Sequence, residues 1–187
     1  MPVLEIHLLE GYGAEDKARL GRALTDTVRA IVPAPPEAVT VLMHELPKTD
    51  YYRGGTTREG AAALPDPAEI VRHFLEAMEA RDLETANAML GDGFVMTFPG
   101  AAPMKTLQEL IDWARPRYHF VKKSYEGFDV ANSPDGPVVY CRGWLSGEWN
   151  DGSGFANIRF IDRFQLINGK ITKQDVWNDM AEVKASL

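Results

Sequence analysis

The stretch FIDRFQLINGKITKQDVW (residues 160–177) decides the fold of the larger part of this chain. Two runs that mix apolar and polar residues flank Asn168-Gly169, a dipeptide that strongly favours a two-residue β-hairpin turn. Strand alternation gives the first run one face with Ile158, Phe160, Asp162, Phe164 and Leu166. It gives the second run one face with Ile171, Lys173, Asp175, Trp177 and Asp179. The stretch therefore predicts an antiparallel hairpin whose apolar face carries a carboxylate.

Helices and further strands precede this hairpin. Capping residues and apolar periodicity predict helices over 66–80, 83–90 and 106–117. Short apolar runs and turn signals predict strands over 93–98, 118–131, 138–149, 154–167 and 170–179. The order α-α-β-α-β-β-β-β predicts an α+β domain, in which a curved and mostly antiparallel sheet carries helices on one face.

The N-terminal 55 residues follow a different pattern. A short apolar run at 2–9 predicts a strand, helical periodicity over 14–32 predicts a helix, and AVTVLMHEL (38–46) predicts a second strand. Strand, helix and strand make a β-α-β unit with parallel strands and a right-handed crossover. A unit of this size has little core, so we expect it to associate with other copies of itself.

A linker separates the two patterns. In TTREGAAALPDP (56–67), small residues lead into two prolines, as is typical of an interdomain segment. The sequence therefore predicts two domains: a β-α-β domain over 1–60 and an α+β domain over 61–187.

Composition narrows the range of functions. A net charge of −7 leaves no basic stripe for nucleic acid, so no nucleic-acid partner is expected. The single cysteine, Cys141, suits a reducing compartment, and neither a leader nor an apolar run of about 18 residues is visible. We therefore expect a cytoplasmic protein without a membrane partner. Neither metal-ligand spacing nor a glycine-rich phosphate loop is present, so no metal and no cofactor are expected.

The first domain resembles the 4-oxalocrotonate tautomerase family. The resemblance rests on the amphipathic helix and on Pro2, IHLLEG (6–11), the spacing of Pro36, Val39 and Val41, and YYRGG (51–55). It implies a β-α-β subunit that assembles as a trimer or hexamer. It also implies a cofactor-free reaction, in which the N-terminal proline transfers a proton between carbons of an enol or dienol acid.

Pro2 is the catalytic candidate that follows from this resemblance. Removal of Met1 would give Pro2 a free secondary amine. Apolar surroundings, such as Val3 and Ile6 would provide, lower the pKa of such an amine, and the amine then acts as a general base near neutral pH.

The residues expected around Pro2 depart from the family pattern. The family has arginines that bind the substrate carboxylate directly after LEG and in the middle of the second strand; here these positions hold Tyr12 and Thr40. Neither side chain reproduces a guanidinium fork. Tyr51 matches the aromatic residue that desolvates the proline, and Arg53 offers a cation. Tyr12, Tyr51 and Arg53 are therefore the predicted substrate-binding residues, for a monocarboxylate or a neutral enol.

Residues 66–187 resemble the SnoaL-like polyketide cyclase group of the nuclear-transport-factor-2-like superfamily. The resemblance rests on the order of elements and on the stretch 160–177. It implies a cone-shaped fold, in which related cyclases and hydrolases use an aspartate in the cavity. Burial on an apolar face would raise the pKa of Asp162, as a general acid or base requires. Asp162 and Asp175 form a candidate acid/base pair if both line one cavity.

Aromatic residues complete the site predicted in the second domain. Trp113 and Tyr140 are predicted to bind substrate, and Tyr118, His119 and Trp144 are further candidates for the cavity wall. A structural role for Asp162, paired with a neighbour such as Arg163, stays open as an alternative.

The leading hypothesis is a cofactor-independent isomerase that uses Pro2 on an enolisable carbonyl compound and is fused to a small-molecule pocket domain. One alternative is an oligomeric scaffold that carries a binding module. The other is cyclase- or dehydratase-like catalysis through Asp162. The expected partners are a small-molecule substrate and copies of the chain, as a trimer or hexamer through the first domain. Dimer contacts through the second domain are a further option.

Overall fold

A computed structural model describes residues 1–185, which form two compact units that divide between Ala63 and Leu64. The architecture is mixed α+β, as the sequence predicts. No helix within residues 1–185 is long and apolar enough to cross a membrane.

The first unit is the predicted β-α-β unit. Strands β1 (Val3–Leu9) and β2 (Thr40–Leu46) pair in parallel, with Val3 opposite Thr40, and helix α1 (Ala14–Arg29) connects them. A small antiparallel hairpin follows, with strands β3 (Tyr52–Arg53) and β4 (Thr56–Thr57).

This unit has almost no core of its own. None of its residues is fully buried, and Val3 and Leu42 on the two strands are 58% and 41% exposed. A two-stranded sheet with one helix covers too little apolar surface to be stable alone. The small core expected from the sequence is therefore observed.

The second unit is a five-stranded sheet with helices. Its helices are α2 (Pro67–Glu79), α3 (Leu83–Ala88), α4 (Leu107–Ala114) and α5 (Met180–Ala185). Its strands are β5 (Leu90–Thr97), β6 (Tyr118–Ser133), β7 (Gly136–Trp149), β8 (Gly154–Ile167) and β9 (Lys170–Asn178). The strand order is β5-β9-β8-β7-β6, and among the described residues of this sheet only the β5–β9 pair is parallel.

Local sequence signals explain where the helices begin. The Asp66 carboxylate accepts a hydrogen bond from the Ala68 amide at 2.9 Å, with Pro67 as the first helical residue of α2. Helix α4 begins at a capping box between Thr106 and Glu109. Each cap satisfies amide groups that have no partner inside the helix.

Alternation on β8 is as predicted, and the buried face of this strand contributes to the core. Phe164 is fully buried and packs edge-to-face on Phe74 of α2, with ring centroids 5.9 Å apart. Ile158 and Leu166 on the same face are buried with it. Burial of these side chains holds α2 against the sheet.

Alternation on β9 differs from the prediction, because the strand contains a β-bulge. Leu166 pairs with Ile171 and Gln165 pairs with Lys173, so Thr172 is an extra residue on β9. One extra residue moves every later side chain to the opposite face. Beyond the bulge, each residue of β9 therefore lies on the face of the sheet opposite to the predicted one.

A glycine on β7 allows strands β6, β7 and β8 to approach closely near the cavity wall. A Cβ added to Gly147 would lie against the carbonyl oxygen of Phe120 and 2.6 Å from Cζ of Phe155. Gly154, on the neighbouring strand β8, has room, because its Cβ would meet nothing closer than 3.8 Å.

We therefore expect Gly147→Ala to lower the free energy of unfolding by about 2 kcal/mol, since an overpacked site forces the backbone to shift. Gly154→Ala is the matched control and should lie within about 0.5 kcal/mol of wild type. Urea unfolding followed by circular dichroism measures both. Equal stability of the two variants would contradict the close approach at Gly147.

Candidate functional site

A cavity of about 270 Å³ lies in the second unit, where α2 and α4 face strands β6 to β9. Most of its wall is apolar and includes Phe74, Phe98, Leu110, Val121 and Phe160. A few polar groups converge on this apolar space, as is usual for small-molecule sites.

Asp162 on β8 is the central polar group of the cavity, and its side chain is fully buried. Lys123 on β6 donates a hydrogen bond to its Oδ2 and forms an ion pair with it. Gln174 on β9 donates from Nε2 to the same oxygen at 3.4 Å. The Lys123 ammonium also lies 4.6 Å from the centroid of the Phe160 ring.

Burial raises the pKa of Asp162 above its ordinary value, and the charge and hydrogen bond of Lys123 act in the opposite direction. The carboxyl therefore holds its proton at a less acidic pH than an exposed aspartate does. Burial also raises the pKa of the Tyr125 phenol on the cavity wall. A raised pKa suits a carboxyl that exchanges a proton with a ligand, whereas the Tyr125 phenol stays protonated and can act as a hydrogen-bond donor.

Three buried polar atoms on the cavity wall lack a hydrogen-bond partner within residues 1–185. They are Oδ1 of Asp162, Oε1 of Gln174 and Nε1 of Trp113. Buried polar atoms in folded proteins nearly always have a partner. A ligand that offers a donor to the two oxygens and an acceptor to the indole would satisfy all three.

Asp175 is not part of this cavity, and its predicted pairing with Asp162 is wrong. The bulge at Thr172 turns Asp175 to the other face of the sheet. There its carboxylate pairs with Arg163 at 3.5 Å and with Lys173 at 3.0 Å. Gln174 occupies the cavity position instead.

Tyr140 also lies outside the cavity, against the prediction. Its neighbours Val139 and Cys141 are fully buried, so Tyr140 lies on the opposite face of β7. Trp144 shares that face, and its Nε1 donates to Glu126 at 2.8 Å.

Of the remaining candidates, Trp113 and Tyr118 line the cavity. His119 does not; its Nδ1 lies 2.6 Å from Oε1 of Glu148.

The sequence-based prediction missed Lys123 and Gln174. Lys123 was detectable, because alternation puts it on one face of β6 with Val121 and Tyr125. Gln174 was not, because no glycine marks the bulge that turns it inward. Within the described part of the chain, no cluster of three His, Cys, Asp or Glu side chains is arranged to hold a metal ion.

In the first unit, the predicted site residues fall into two places. Tyr12, Tyr51 and Arg53 line one surface depression, together with His7 and Glu59. Pro2 precedes the other end of β1 and is not part of this depression. A strand rises about 3.3 Å per residue, so about 17 Å of β1 separates Pro2 from His7, the residue of the depression that is nearest to it along the strand.

Pro2 itself is half-buried and fixed by the sheet. Its carbonyl oxygen accepts a hydrogen bond from the Thr40 amide at 3.0 Å, which continues the β1–β2 ladder. Met1, joined to the Pro2 nitrogen, is 90% exposed.

The raised pKa of Asp162 makes stability depend on pH. Between the pKa of the unfolded chain and the higher folded value, the native state binds more protons, so the free energy of unfolding falls as pH rises. Asp162→Asn cannot ionise. We expect its free energy of unfolding, relative to wild type, to increase as pH rises above about 4, the pKa of an aspartate in the unfolded chain, until the folded pKa of Asp162 is passed. Urea unfolding across this range measures the difference, and a difference independent of pH would contradict the raised pKa.

Comparisons with known proteins assign each unit to a family. A family model described as "Tautomerase enzyme" matches residues 2–59, and one described as "SnoaL-like domain" matches residues 71–174. A curated "Probable tautomerase" from Streptococcus mutans is 36% identical over 59 residues, which cover 32% of this chain and 97% of that protein. A "Probable tautomerase" from Streptococcus agalactiae is equally similar, with 98% of its length covered.

Solved structures match the second unit in fold. An NTF2-like protein of unknown function from Burkholderia pseudomallei has a TM-score of 0.54 at 18% identity, covering 64% of this chain and 95% of that one. TerC, co-crystallised with polyporic acid, has a TM-score of 0.54 at 12% identity, covering 64% and 97%. At these identities the likeness concerns the fold alone. Residues 2–59 of this chain belong to the tautomerase family, and residues 71–174 belong to the SnoaL-like family, with an NTF2-like fold.

Proposed function

We propose that this chain is a cofactor-independent isomerase in which Pro2, freed by removal of Met1, is the general base for proton transfer on an enolisable carbonyl compound. One observation carries the proposal. Pro2 directly precedes β1 of a β-α-β unit that is 36% identical to proteins named "Probable tautomerase" over almost their whole length.

The chemistry requires a free amine at Pro2. In the uncleaved chain its nitrogen belongs to an amide and has no basic lone pair, so removal of Met1 is part of the proposal. The exposure of Met1 supports such processing. Once freed, the Pro2 amine takes a proton from the carbon next to the substrate carbonyl, which leaves an enolate. The same amine then returns the proton to the other terminus of the conjugated system.

Assembly is the second element of the proposal. The first unit contains no fully buried residue, which supports a homo-oligomer, a trimer or hexamer, built through this unit. The length of β1 separates Pro2 from the depression that holds Tyr12, Tyr51 and Arg53. Neighbouring subunits would bring the base of one chain to the aromatic pocket of another.

The substrate of this site would carry at most one carboxylate. Tyr12 and Thr40 are uncharged, and the depression holds two arginines, Arg53 and Arg58, beside the carboxylate of Glu59, which leaves a net charge of +1. One guanidinium binds one carboxylate through paired hydrogen bonds. A monocarboxylate such as phenylpyruvate, or a neutral enol, fits this arrangement.

Pro2→Ala tests the base. After intact-mass spectrometry has verified that Met1 is absent, we expect ketonisation of phenylpyruvate enol to fall at least about 100-fold in kcat/KM. The free amine of the substituted alanine is primary and lacks the ring that fixes the position of the Pro2 nitrogen, and a displaced base loses about that factor. Pro33→Ala, at an exposed proline outside the helices and strands, is the control and should keep wild-type activity. Light scattering verifies that both variants assemble alike. Equal rates for Pro2→Ala and wild type would reject Pro2 as the base.

A second candidate function rests on the cavity of the second unit. Asp162 would take a proton from an acidic carbon of an aryl carbonyl ligand held among the apolar residues. The Lys123 ammonium beside it would stabilise the enolate that forms, and the unpartnered Trp113 indole would donate to a ligand oxygen. Returning the proton elsewhere gives isomerisation, and attack of the enolate on a second carbonyl gives ring closure.

Proton exchange tests this second site without knowledge of its substrate. In a Pro2→Ala background, we expect the protein to accelerate deuterium exchange at the acidic carbon of β-tetralone, followed by NMR. Asp162→Asn should reduce that exchange at least about 100-fold. Asp175→Asn, on the opposite face of the sheet, is the matched control and should leave it unchanged. Exchange that survives Asp162→Asn would reject catalysis by Asp162, and would favour a binding module if β-tetralone still binds.

A further inference from the structure

Arg81 has a backbone conformation that arginine rarely adopts. Helix α2 ends in a Schellman motif: the Asp82 amide donates to the Ala77 carbonyl at 2.9 Å, and the Arg81 amide donates to the Met78 carbonyl at 3.3 Å. Arg81 has a φ of 62°, in the left-handed region. Glycine is the usual residue at this position, because its lack of a Cβ removes the strain.

Arg81 is an unusual residue type for a positive φ, even within this chain. Within residues 1–185, the other non-glycine residues with positive φ are Asn157 and Asn168. Asparagine tolerates the left-handed region far better than a long side chain does. Residues held in such conformations often have a functional role, when the side chain does something that glycine cannot.

The Arg81 side chain lies at the cavity. It lines the wall close to Tyr118, whose pKa burial raises while the positive charge of Arg81 acts in the opposite direction. Within the described residues, its guanidinium forms no hydrogen bond and no ion pair. The six other arginines of this unit have such partners: Arg72 with Glu69, Arg115 with Asp112, Arg117 with the Trp113 carbonyl, Arg142 with Asp129, Arg159 with Asp179 and Arg163 with Asp175.

Among the described residues, Arg81 is the cation of the cavity wall that is left for an anion. Three cations, Arg81, Lys122 and Lys123, and two carboxylates, Glu79 and Asp162, line the cavity. Lys123 and Asp162 neutralise each other in their ion pair. Lys122 pairs with Ser146 and points by strand alternation to the other face of β6, so Arg81 and Glu79 are the charges left at the wall, in a chain whose net charge is −7. Long-range attraction of an anion by the whole chain is therefore absent, and local contact with Arg81 has to supply the selectivity.

We propose that Arg81 binds the carboxylate of a ligand whose apolar body fills the cavity. The planar guanidinium donates paired hydrogen bonds that match the two oxygens of a carboxylate. Asp162 and Gln174, deeper in the cavity, contact the other end of the ligand. This proposal rests on the cavity being a ligand site, as in the second candidate function, and is independent of catalysis by Asp162.

Binding of a matched pair of probes tests the proposal. β-Naphthoate and its neutral amide, β-naphthamide, share one aromatic body and differ in charge, and calorimetry gives both Kd values. We expect wild type to bind the carboxylate at least about tenfold more tightly than the amide, as a charged hydrogen-bonded contact provides. Arg81→Gly and Arg81→Asn should both lose this preference while keeping the Kd for the amide.

Stability provides an independent readout. Because glycine relieves the strain at the left-handed position, Arg81→Gly should raise Tm by about 3 °C, and Arg81→Asn by less. If the Arg81 side chain instead stabilises the fold, Arg81→Gly lowers Tm, and that result would overturn the proposal.

Arg115→Ala is the matched control. Arg115 lines a neighbouring surface depression that also includes Arg81, but it does not line the cavity. Arg115→Ala should keep the preference for the carboxylate. If Arg115→Ala loses it, the anion binds in that depression and not in the cavity, and the proposal is overturned. A preference that survives Arg81→Gly, or equal binding of both probes by wild type, would reject Arg81 while the cavity stays a ligand site. Failure of wild type to bind either probe would reject the cavity itself.

Discussion

A fully buried carboxylate is the constraint on which the second unit depends. An ionised aspartate without partners inside a protein would cost more free energy than the net stability of a domain. Asp162 is tolerated because Lys123 reaches it from β6 and Gln174 reaches it from β9. Strands β6, β8 and β9 must therefore keep their register so that Lys123 and Gln174 reach the Asp162 carboxylate. The apolar cavity around this pair keeps water from competing for the same hydrogen bonds.

How far the sequence predicts this site depends on how regular each strand is. Strand β8 alternates without interruption along the stretch that holds Asp162, so its place on the apolar face is readable from spacing alone. Strand β9 contains an extra residue, Thr172, with no glycine to mark it, and simple alternation therefore selects Asp175 instead of Gln174. Tyr140 fails for a different reason. Its aromatic ring favours a place in the cavity wall, whereas the burial of its neighbours on β7 assigns it to the opposite face.

In the first unit, the sequence predicts the fold but does not predict how the site residues come together. Its parallel strands and connecting helix follow directly from periodicity and from the prolines that end the helix. Its site does not, because Pro2 and the pocket that contains Tyr12 and Arg53 lie at opposite ends of β1. A single chain has no means of joining them. Sequence spacing describes contacts within one subunit, so it does not predict a site shared between subunits, such as the one we propose.

The Schellman motif at the end of α2 has a consequence for how this protein would change under selection. Glycine is the residue that the backbone at position 81 favours, and arginine is the residue that the cavity favours on our proposal. A library screened for survival after heating would enrich glycine there. A library screened for discrimination among acids would retain arginine. Variation at this one position among homologues would therefore record which of the two pressures each lineage has experienced.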